Sequence, residues 1–175
     1  FKEESEAFTV GIGLSSDEKY FFITSSDHNT SEQYYFKADE IIPKPKLIDK
    51  RKRGIIYSVN SWNGNFYKHT NEDAEDFKIE KTNDLEKKEW ETFIPAREEV
   101  LIGGLIFLNN WIIRSETSNA LSKLILRNPK NNEEEEIFFS DEKVIVPGVS
   151  LTQRDRNTDT VYLSYSSPKT PGRTY

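Results

Sequence analysis

The chain has 175 residues and a mass of 20.4 kDa, which is the usual size of about one domain. Its formal net charge of −6 argues against a general nucleic-acid binder or a binder of anionic membranes, since both need a basic surface. Cysteine is absent, which excludes a disulfide framework, a zinc ribbon, a thiol nucleophile and an iron–sulfur site. The aromatic content of 13% is too high for a disordered chain, so we expect a folded protein.

The N-terminal sequence indicates whether the chain is complete and whether it carries a targeting segment. The chain begins with Phe1 and contains no methionine, so we expect it to be a piece of a longer protein. The N-terminus lacks a basic segment followed by an apolar stretch, so no signal peptide is visible. No apolar run approaches the ~18 residues of a membrane span. For a piece of a longer protein, the missing signal says nothing about the N-terminus of the parent. Our expectation is a cytoplasmic protein that does not contact a membrane.

Four turn signals interrupt strand-like apolar runs at a regular spacing. They are centred at Ser16, Asn63, Asn109 and Asn157, and neighbouring signals lie 46 to 48 residues apart. The second signal is an Asn-Gly pair, which is the strongest short indicator of a hairpin because both central residues need a positive φ. The spacing therefore predicts a repeat of about 47 residues.

Each turn joins two predicted strands, and a third strand and a shorter fourth strand follow in each complete unit. In chain order the predicted strands are 8–14, 20–24, 33–37, 46–48, 55–61, 65–70, 77–81, 90–94, 100–108, 111–116, 121–127, 135–139, 144–152 and 160–166. All connections are short, so neighbouring strands should be antiparallel. The fourth unit stops at Tyr175, where its third strand should begin.

Four-stranded units repeated at this spacing are typical of β-propeller blades. We therefore predict an all-β fold over residues 1–175, a partial β-propeller of about 3.5 four-stranded antiparallel blades. The predicted blades are 1–50, 51–98, 99–141 and the incomplete 142–175. The alternative is one β-sandwich, whose strands need not fall into regular sets of four. Because an open half-ring exposes sheet faces and edges, we expect the isolated chain to self-associate or to be marginally stable.

Small residues recur in the predicted first strands, where the central channel of a propeller is crowded. The alternative is that glycines within strands mark bulges. These small residues are Gly11, Gly13, Ser58, Gly103, Gly104, Gly148 and Ser150.

Catalytic signals are weak. Ser15 and Ser150 each follow a Gly-x pair, as in the G-x-S-x-G nucleophile elbow, but the second glycine is missing in both. His28 lies in a polar loop and His69 in a predicted strand, so each is more simply a solvated or hydrogen-bonded side chain than a triad base. We therefore predict no catalytic residue, no cofactor-binding residue and no metal ligand in this chain.

Two charge runs and three tryptophans have alternative interpretations. The basic run 50–53 could be a nuclear signal or a polyanion patch, but we predict a solvated loop between two blades. The acidic run 133–136 could bind calcium or basic peptides, and a charged loop facing water explains it equally well. Trp62, Trp90 and Trp111 could stack on sugars, but they fall at predicted blade-core positions.

Several segments, taken in order, resemble the prolyl oligopeptidase family. Residues 66–71 with Ala74 and residues 77–79 resemble its F-Y-x-x-T-N…A…F-x-L/I pattern. Residues 90–98 resemble the W-x-x-x-I-P-x-R-E segment of its oligopeptidase B (protease II) branch, and residues 165–171 resemble Y-S-S-x-x-T-P. Each motif alone is weak, but their order and spacing agree along the chain.

The resemblance implies a two-domain serine peptidase as the parent. An α/β-hydrolase domain, absent from this chain, carries the Ser, Asp and His of the triad in that family. A propeller of about seven blades covers the site and admits short peptides, and oligopeptidase B cleaves after Lys or Arg. This chain would be the second half of the N-terminal propeller. The expected partners are the hydrolase domain and short basic peptides, with no cofactor; the alternative is a stand-alone propeller that binds other proteins.

Overall fold

A computed structural model describes residues 1–137, 150–152, 158–165 and 173–174. In these residues every regular element is a β-strand. No helix of the described residues has the length and hydropathy to cross a membrane. The chain divides into two compact units, Phe1–Arg97 and Glu98–Tyr175.

Unit 1 contains two antiparallel four-stranded sheets whose strands follow each other in chain order. The first sheet consists of β1 (Thr9–Leu14), β2 (Tyr20–Ser26), β3 (Ser31–Lys37) and β4 (Lys46–Leu47). The second sheet consists of β5 (Tyr57–Trp62), β6 (Asn65–Thr70), β7 (Lys78–Thr82) and β8 (Glu91–Ile94).

Unit 2 repeats this arrangement once and then partly again. The third sheet consists of β9 (Leu101–Phe107), β10 (Ile112–Ser118), β11 (Leu121–Arg127) and β12 (Glu134–Glu136). The fourth sheet consists of β13 (Ser150–Thr152), β14 (Tyr162–Tyr165) and β15 (Arg173–Thr174). β15 pairs with β14, so a third strand does begin near the end of the chain.

The predicted all-β fold and the repeated four-stranded antiparallel sheets are confirmed. The strand predictions at 138–139, 144–149 and 166 lie outside the described residues, as does most of the 165–171 motif. The predicted blade boundaries stay predictions.

In two two-residue hairpin turns both central residues have left-handed backbone. Asn63 and Gly64 have φ values of 49° and 74°, as the Asn-Gly signal predicts for a two-residue turn. Asn119 and Ala120 have φ values of 51° and 60° and form the same kind of turn between β10 and β11. Alanine is uncommon in this conformation, so the second turn has no clear signature in the sequence.

The core of unit 1 lies between the first and second sheets, an interface that we call the seam. Alternate residues of a strand point to opposite faces, so Phe22 and Tyr35 of the first sheet can meet Val59 and Phe66 of the second. Each of these side chains is at least nine-tenths buried. Burial of a large apolar side chain contributes about 1.5–3 kcal/mol, so the two sheets stabilise each other.

Unit 2 has its own apolar cluster on the third sheet. Leu108, Ile113 and Leu124 are almost fully buried, and Val161, directly before β14, packs against them. The turn before β10 also contacts the segment before β14, because Asn110 donates from its backbone N–H to Asp159 Oδ1 at 2.7 Å.

The described residues do not crowd three of the first-strand glycines, and the prediction about the central channel of a closed ring stays a prediction. A Cβ placed on Gly11, Gly13 or Gly104 meets no atom within 4 Å. At Gly103 a Cβ would collide with Ser115 of the neighbouring strand, 2.0 Å from its Oγ. The pairing of β9 with β10 shifts register at this point, so Gly103 belongs to a bulge. Ser58 is exposed, Gly148 lies outside the described residues, and nothing is described of the Ser150 side chain.

Candidate functional site

Ser15 and His69 are engaged in contacts that stabilise the fold, and His28 is exposed to solvent. Ser15 is 1% exposed, donates to Asp17 and accepts from the backbone N–H groups of Lys19 and Tyr20, so its hydroxyl stabilises a turn. His28 is exposed after β2, whereas His69 stacks on the Phe77 ring at 4.6 Å. The second serine signal, at 148–150, falls outside the described side chains.

The described residues contain no group of three or more His, Asp or Glu side chains placed to hold a metal ion. The predictions that the chain carries no catalytic, cofactor-binding or metal-binding residue stay predictions.

The basic run 50–53 is partly used within unit 1. The Arg51 guanidinium lies 2.6 Å from Glu3 Oε2 and 3.0 Å from Glu32 Oε1, and its charge lies 4.1 Å from the centre of the Phe8 ring. These contacts join the N-terminal segment to the first sheet. Lys52 pairs with Glu72. The expectation of a wholly solvated loop is therefore wrong for Arg51.

The acidic run 133–136 also makes internal contacts. Glu134 accepts two hydrogen bonds of 2.7 Å from Arg114, which is 4% exposed, and it also pairs with Arg127. Burial opposes ionisation of Glu134, but the bonds from Arg114 and Arg127 outweigh it and lower the pKa of this carboxyl. Glu136 pairs with Lys123 at 3.1 Å. Two of the four acidic side chains thus stabilise the third sheet.

The three tryptophans pack against apolar side chains. Trp62 is 7% exposed and lies beside the Tyr67 ring. Trp90 packs against the core of the seam, and Trp111 packs against the apolar cluster of the third sheet. These positions fit the predicted blade-core role better than a sugar-stacking surface.

Polar groups bridge the seam inside its apolar surroundings. The Tyr57 hydroxyl accepts from the backbone N–H of Gln33 at 2.8 Å and donates to the carbonyl of Asp49 at 2.6 Å. Burial is the main cause that raises the pKa of this phenol, so it stays protonated and able to donate. Ser31 accepts from the Tyr57 N–H and donates to the Tyr57 carbonyl, both at 2.7 Å.

Gln33 completes this connection. Its side-chain oxygen accepts from the Val59 N–H at 2.6 Å, and its amide donates to the Thr24 hydroxyl at 2.7 Å. The residue is 4% exposed, so its polar groups cannot bond to bulk water. The hydrogen bonds to Val59 and Thr24 take the place of those bonds to water. The arrangement fixes the position of β5 against the first sheet.

The first hairpin turn also bonds to the second sheet. Ser16 donates its backbone N–H to Asn60 Oδ1 at 2.9 Å, and Asn60 returns a bond of 2.9 Å to the Ser16 hydroxyl. The Ser61 hydroxyl donates to Asp17 Oδ2 at 2.8 Å. The seam is therefore held at its end as well as at its centre.

A buried lysine lies on the same face of β6 as Phe66. Lys68 is 5% exposed, lies 2.8 Å from Glu80 Oε2 and is 4.5 Å from the centre of the Trp90 ring. Burial opposes ionisation of Glu80, but hydrogen bonds from Lys68 and Lys78 outweigh it and lower the pKa of that carboxyl. Lys68 is thus a charged structural residue and not an exposed binding group.

The family-like segment 66–71 builds the second sheet. Phe66 enters the seam core, and Thr70 donates its hydroxyl to the Ile56 carbonyl at 3.1 Å. Asn71 accepts from the Ile56 N–H at 2.7 Å and donates to the Gly54 carbonyl at 2.9 Å. These residue types are therefore explained by the entry of the chain into β5, without any role in catalysis.

The whole chain matches a known domain family. The family described as "Prolyl oligopeptidase, N-terminal beta-propeller domain" matches residues 1–175. Protease 2 of Moraxella lacunata is 27% identical over 177 residues, which cover 100% of this chain and 25% of that protein. Dipeptidyl aminopeptidase BI of Pseudoxanthomonas mexicana is 28% identical over 181 residues, covering 100% of this chain and 24% of the relative. The chain thus spans about a quarter of the length of these relatives.

Solved structures show the same fold. Oligopeptidase B from Trypanosoma brucei, with covalently bound antipain, matches 100% of this chain and 26% of its own with a TM-score of 0.86 and 23% identity. Oligopeptidase B from Leishmania major matches 99% of this chain and 26% of its own with a TM-score of 0.86 and 17% identity. The partial β-propeller prediction is therefore confirmed, and the β-sandwich alternative is dropped. This chain belongs to the prolyl oligopeptidase family, as a segment of its N-terminal β-propeller domain.

Proposed function

We propose that this chain is the non-catalytic propeller segment of a serine oligopeptidase and that it gates access to an α/β-hydrolase domain elsewhere in the parent protein. In this proposal the parent is cytoplasmic and cleaves short peptides after Lys or Arg. The observation that carries the proposal is the family match over residues 1–175.

Further features support the gating role. The names of both relatives describe peptidases, and the chain covers only about a quarter of each, which leaves room for a separate catalytic domain. Hydrogen bonds of Tyr57 and Gln33 join the two sheets across the seam, and a size-selective cover requires sheets that are held together in this way. The preference for Lys or Arg is supported by the resemblance of residues 90–98 to the oligopeptidase B segment.

The reaction is tested by reconstitution. A short fluorogenic peptide ending in Arg-Arg is incubated with this chain, with the remaining part of the parent, and with both together. We expect cleavage of the short peptide in the mixture and none by the chain alone. Cleavage by the chain alone would overturn the proposal, and cleavage by neither would favour a stand-alone protein-binding propeller.

Gating is tested in the full parent with the seam variant Gln33→Leu. A loosened cover should raise cleavage of a long peptide relative to the short one. A matched change away from the seam, Lys123→Met, should leave this ratio unchanged. An unchanged ratio in Gln33→Leu, with weakened seam packing shown by faster amide exchange, would contradict gating.

Self-association of the isolated chain is a separate proposal. It is supported by the exposure of β1, where Val10, Ile12 and Leu14 are 44%, 64% and 37% exposed. Such an uncharged strand invites pairing or packing with another copy. Sedimentation should show a dimer that Ile12→Lys reduces to a monomer. A monomeric wild-type chain with a high melting temperature would exclude it.

A further inference from the structure

A cavity of about 180 Å³ opens at one end of the seam. Its walls come from both sheets of unit 1, with Tyr20 and Tyr35 from the first sheet, Phe66 from the second, and Leu85 from the loop after β7. Drug-sized ligands occupy pockets of about 300–1,000 Å³. The volume therefore suits a single side chain or a molecule of similar size.

Aromatic rings form much of the wall. The Tyr20 ring lies 5.0 Å from the Phe66 ring at an interplanar angle of 65°, and 6.2 Å from the Tyr35 ring at 58°. Aromatic rings attract one another in tilted and edge-to-face arrangements at such distances. A further ring placed in the cavity would extend this arrangement, whereas an aliphatic group would gain only the burial of its apolar surface.

The Tyr35 hydroxyl supplies a polar group. Tyr35 is 9% exposed as a residue, and its hydroxyl lies at the cavity without a hydrogen bond to another described residue. The hydroxyls of Tyr34 and Tyr57 are used within the fold, since Tyr34 donates to Glu32 at 2.9 Å and Tyr57 donates to the Asp49 carbonyl at 2.6 Å, whereas the Tyr35 hydroxyl remains available to a ligand. Because burial raises its pKa, the Tyr35 phenol stays protonated and can both donate and accept.

The opening of the cavity carries charges of both signs. Lys46 of β4 pairs with Glu86 from the loop after β7, so this ion pair joins the two sheets. The two side chains are 61% and 66% exposed, and exposed pairs contribute little stability. The pair can therefore separate at small cost, and its two charges can accommodate a peptide amide or the ammonium and carboxylate of a free amino acid.

We propose that this cavity binds the aromatic side chain of a peptide or free amino acid, and that it prefers tyrosine through a hydrogen bond to the Tyr35 hydroxyl. The site requires only the two sheets of unit 1 and does not depend on the gating role. Its three features act together: the volume sets the size, the rings select an aromatic group, and the hydroxyl selects a phenol.

The test uses the full chain and small capped amino acids. N-acetyl-L-tyrosinamide, N-acetyl-L-phenylalaninamide and N-acetyl-L-leucinamide are titrated while backbone amide shifts are followed by NMR. We expect saturable shifts around Tyr35, Phe66 and Leu85, with tyrosine binding most tightly and leucine least. Free L-phenylalanine, compared with its capped form, distinguishes an amino-acid site from a peptide site.

Tyr35→Phe isolates the hydroxyl, since it keeps the ring and the packing. It should weaken tyrosinamide binding by roughly threefold to tenfold, the usual range for one neutral hydrogen bond, and leave phenylalaninamide binding unchanged. Tyr34→Phe, on the opposite face of β3, is the matched control and should change neither. Absence of saturable shifts at the cavity, equal affinity for leucine, or an unchanged tyrosine preference in Tyr35→Phe would overturn the proposal.

Discussion

The seam and the third sheet bury polar groups in different ways. Across the seam, Tyr57 and Gln33 use neutral side chains to bond the backbone of the opposite sheet or its linker. In the third sheet, Arg114 is buried with Glu116 and Glu134, all within one sheet. The first arrangement positions two sheets against each other. The second holds β10 and β12 together across the intervening strand.

The two arrangements should also respond differently to substitution. A buried neutral hydrogen bond contributes about 1 kcal/mol net, whereas a buried charge left without its counter-charge is strongly destabilising. We therefore expect the third sheet to be the more sensitive to loss of a single side chain. Unit 1 contains Glu3, Glu32 and Glu80, whose pKa values are lowered, so we expect unit 1 to be the more sensitive to acid.

The largest effect is expected for Arg114→Met. This change removes the positive charge between Glu116 and Glu134, and we expect a loss of about 3–5 kcal/mol in the free energy of unfolding. Burial opposes the charge on Arg114, but its bonds to Glu134 and Glu116 outweigh this and raise its pKa. Lys123→Met, which breaks an exposed pair of the same sheet, should cost about 0–1 kcal/mol. Equal losses in urea denaturation would contradict the comparison.

Acid should weaken unit 1 more than unit 2. The hydrogen bond from Arg51 is the largest cause that lowers the pKa of Glu3 from its ordinary 4.5 to about 2. In Glu32 and Glu80, burial opposes ionisation, but bonds from Arg51 and from Lys68 respectively outweigh it, so their pKa values also fall.

A carboxyl whose pKa is lower in the folded state stabilises the fold above its unfolded value and loses that contribution as pH falls. We therefore expect a constant melting temperature above about pH 5.5 and a fall of roughly 5–10 °C by pH 3. Amide exchange should accelerate first in β2 and β3. Glu3→Gln should show a smaller fall between these pH values, and an identical fall would exclude a role for the Glu3–Arg51 pair.

A smaller effect is expected for Tyr57→Phe. The change removes the hydroxyl that bonds Gln33 and Asp49, and leaves a buried backbone N–H without its acceptor, at a cost of about 1–3 kcal/mol. Tyr34→Phe loses one bond in a half-buried setting and should cost less, about 0.5–1 kcal/mol. Urea denaturation measures the loss of unfolding free energy in both variants. A larger loss in Tyr34→Phe than in Tyr57→Phe would show that the hydroxyl of Tyr57 does not stabilise the seam.

The smallest changes in stability are expected for substitutions in the two left-handed turns. Gly64→Ala should cost about 1 kcal/mol, because φ is positive there, and Ala120→Gly should stabilise the chain by a similar amount. Thermal unfolding of the two variants should therefore shift in opposite directions. Shifts of the same sign would show that packing and not backbone strain decides the stability of these turns.

Particular elements show why some features follow from the sequence. The Asn63-Gly64 turn is predictable because its backbone requirement is met by the two residues themselves. The turn at Asn119-Ala120 is not, because pairing of β10 with β11 places an alanine in a conformation that it does not favour alone. Local chemistry thus decides one turn and sheet pairing decides the other.

The roles of the candidate site residues also depend on contacts that the sequence does not reveal. The basic residue Arg51 looks like part of a solvated run until the structure places it beside Glu3, 48 positions earlier in the chain. Likewise, the sequence does not reveal which groups lie beside the hydroxyls of Tyr34, Tyr35 and Tyr57, because those groups come from other strands and loops. Contacts between distant residues decide these roles.

The sequence by itself determined the all-β repeat, because alternating side chains and turn residues act over a few neighbouring positions. Its ordered segments also indicated the family. Only the tertiary structure decided that Gln33 and Tyr57 bond across the seam, that Arg114 is buried between carboxylates, and that Tyr35 lines a cavity. Those features depend on which faces of distant strands pack together, and that information resides in the assembled sheets.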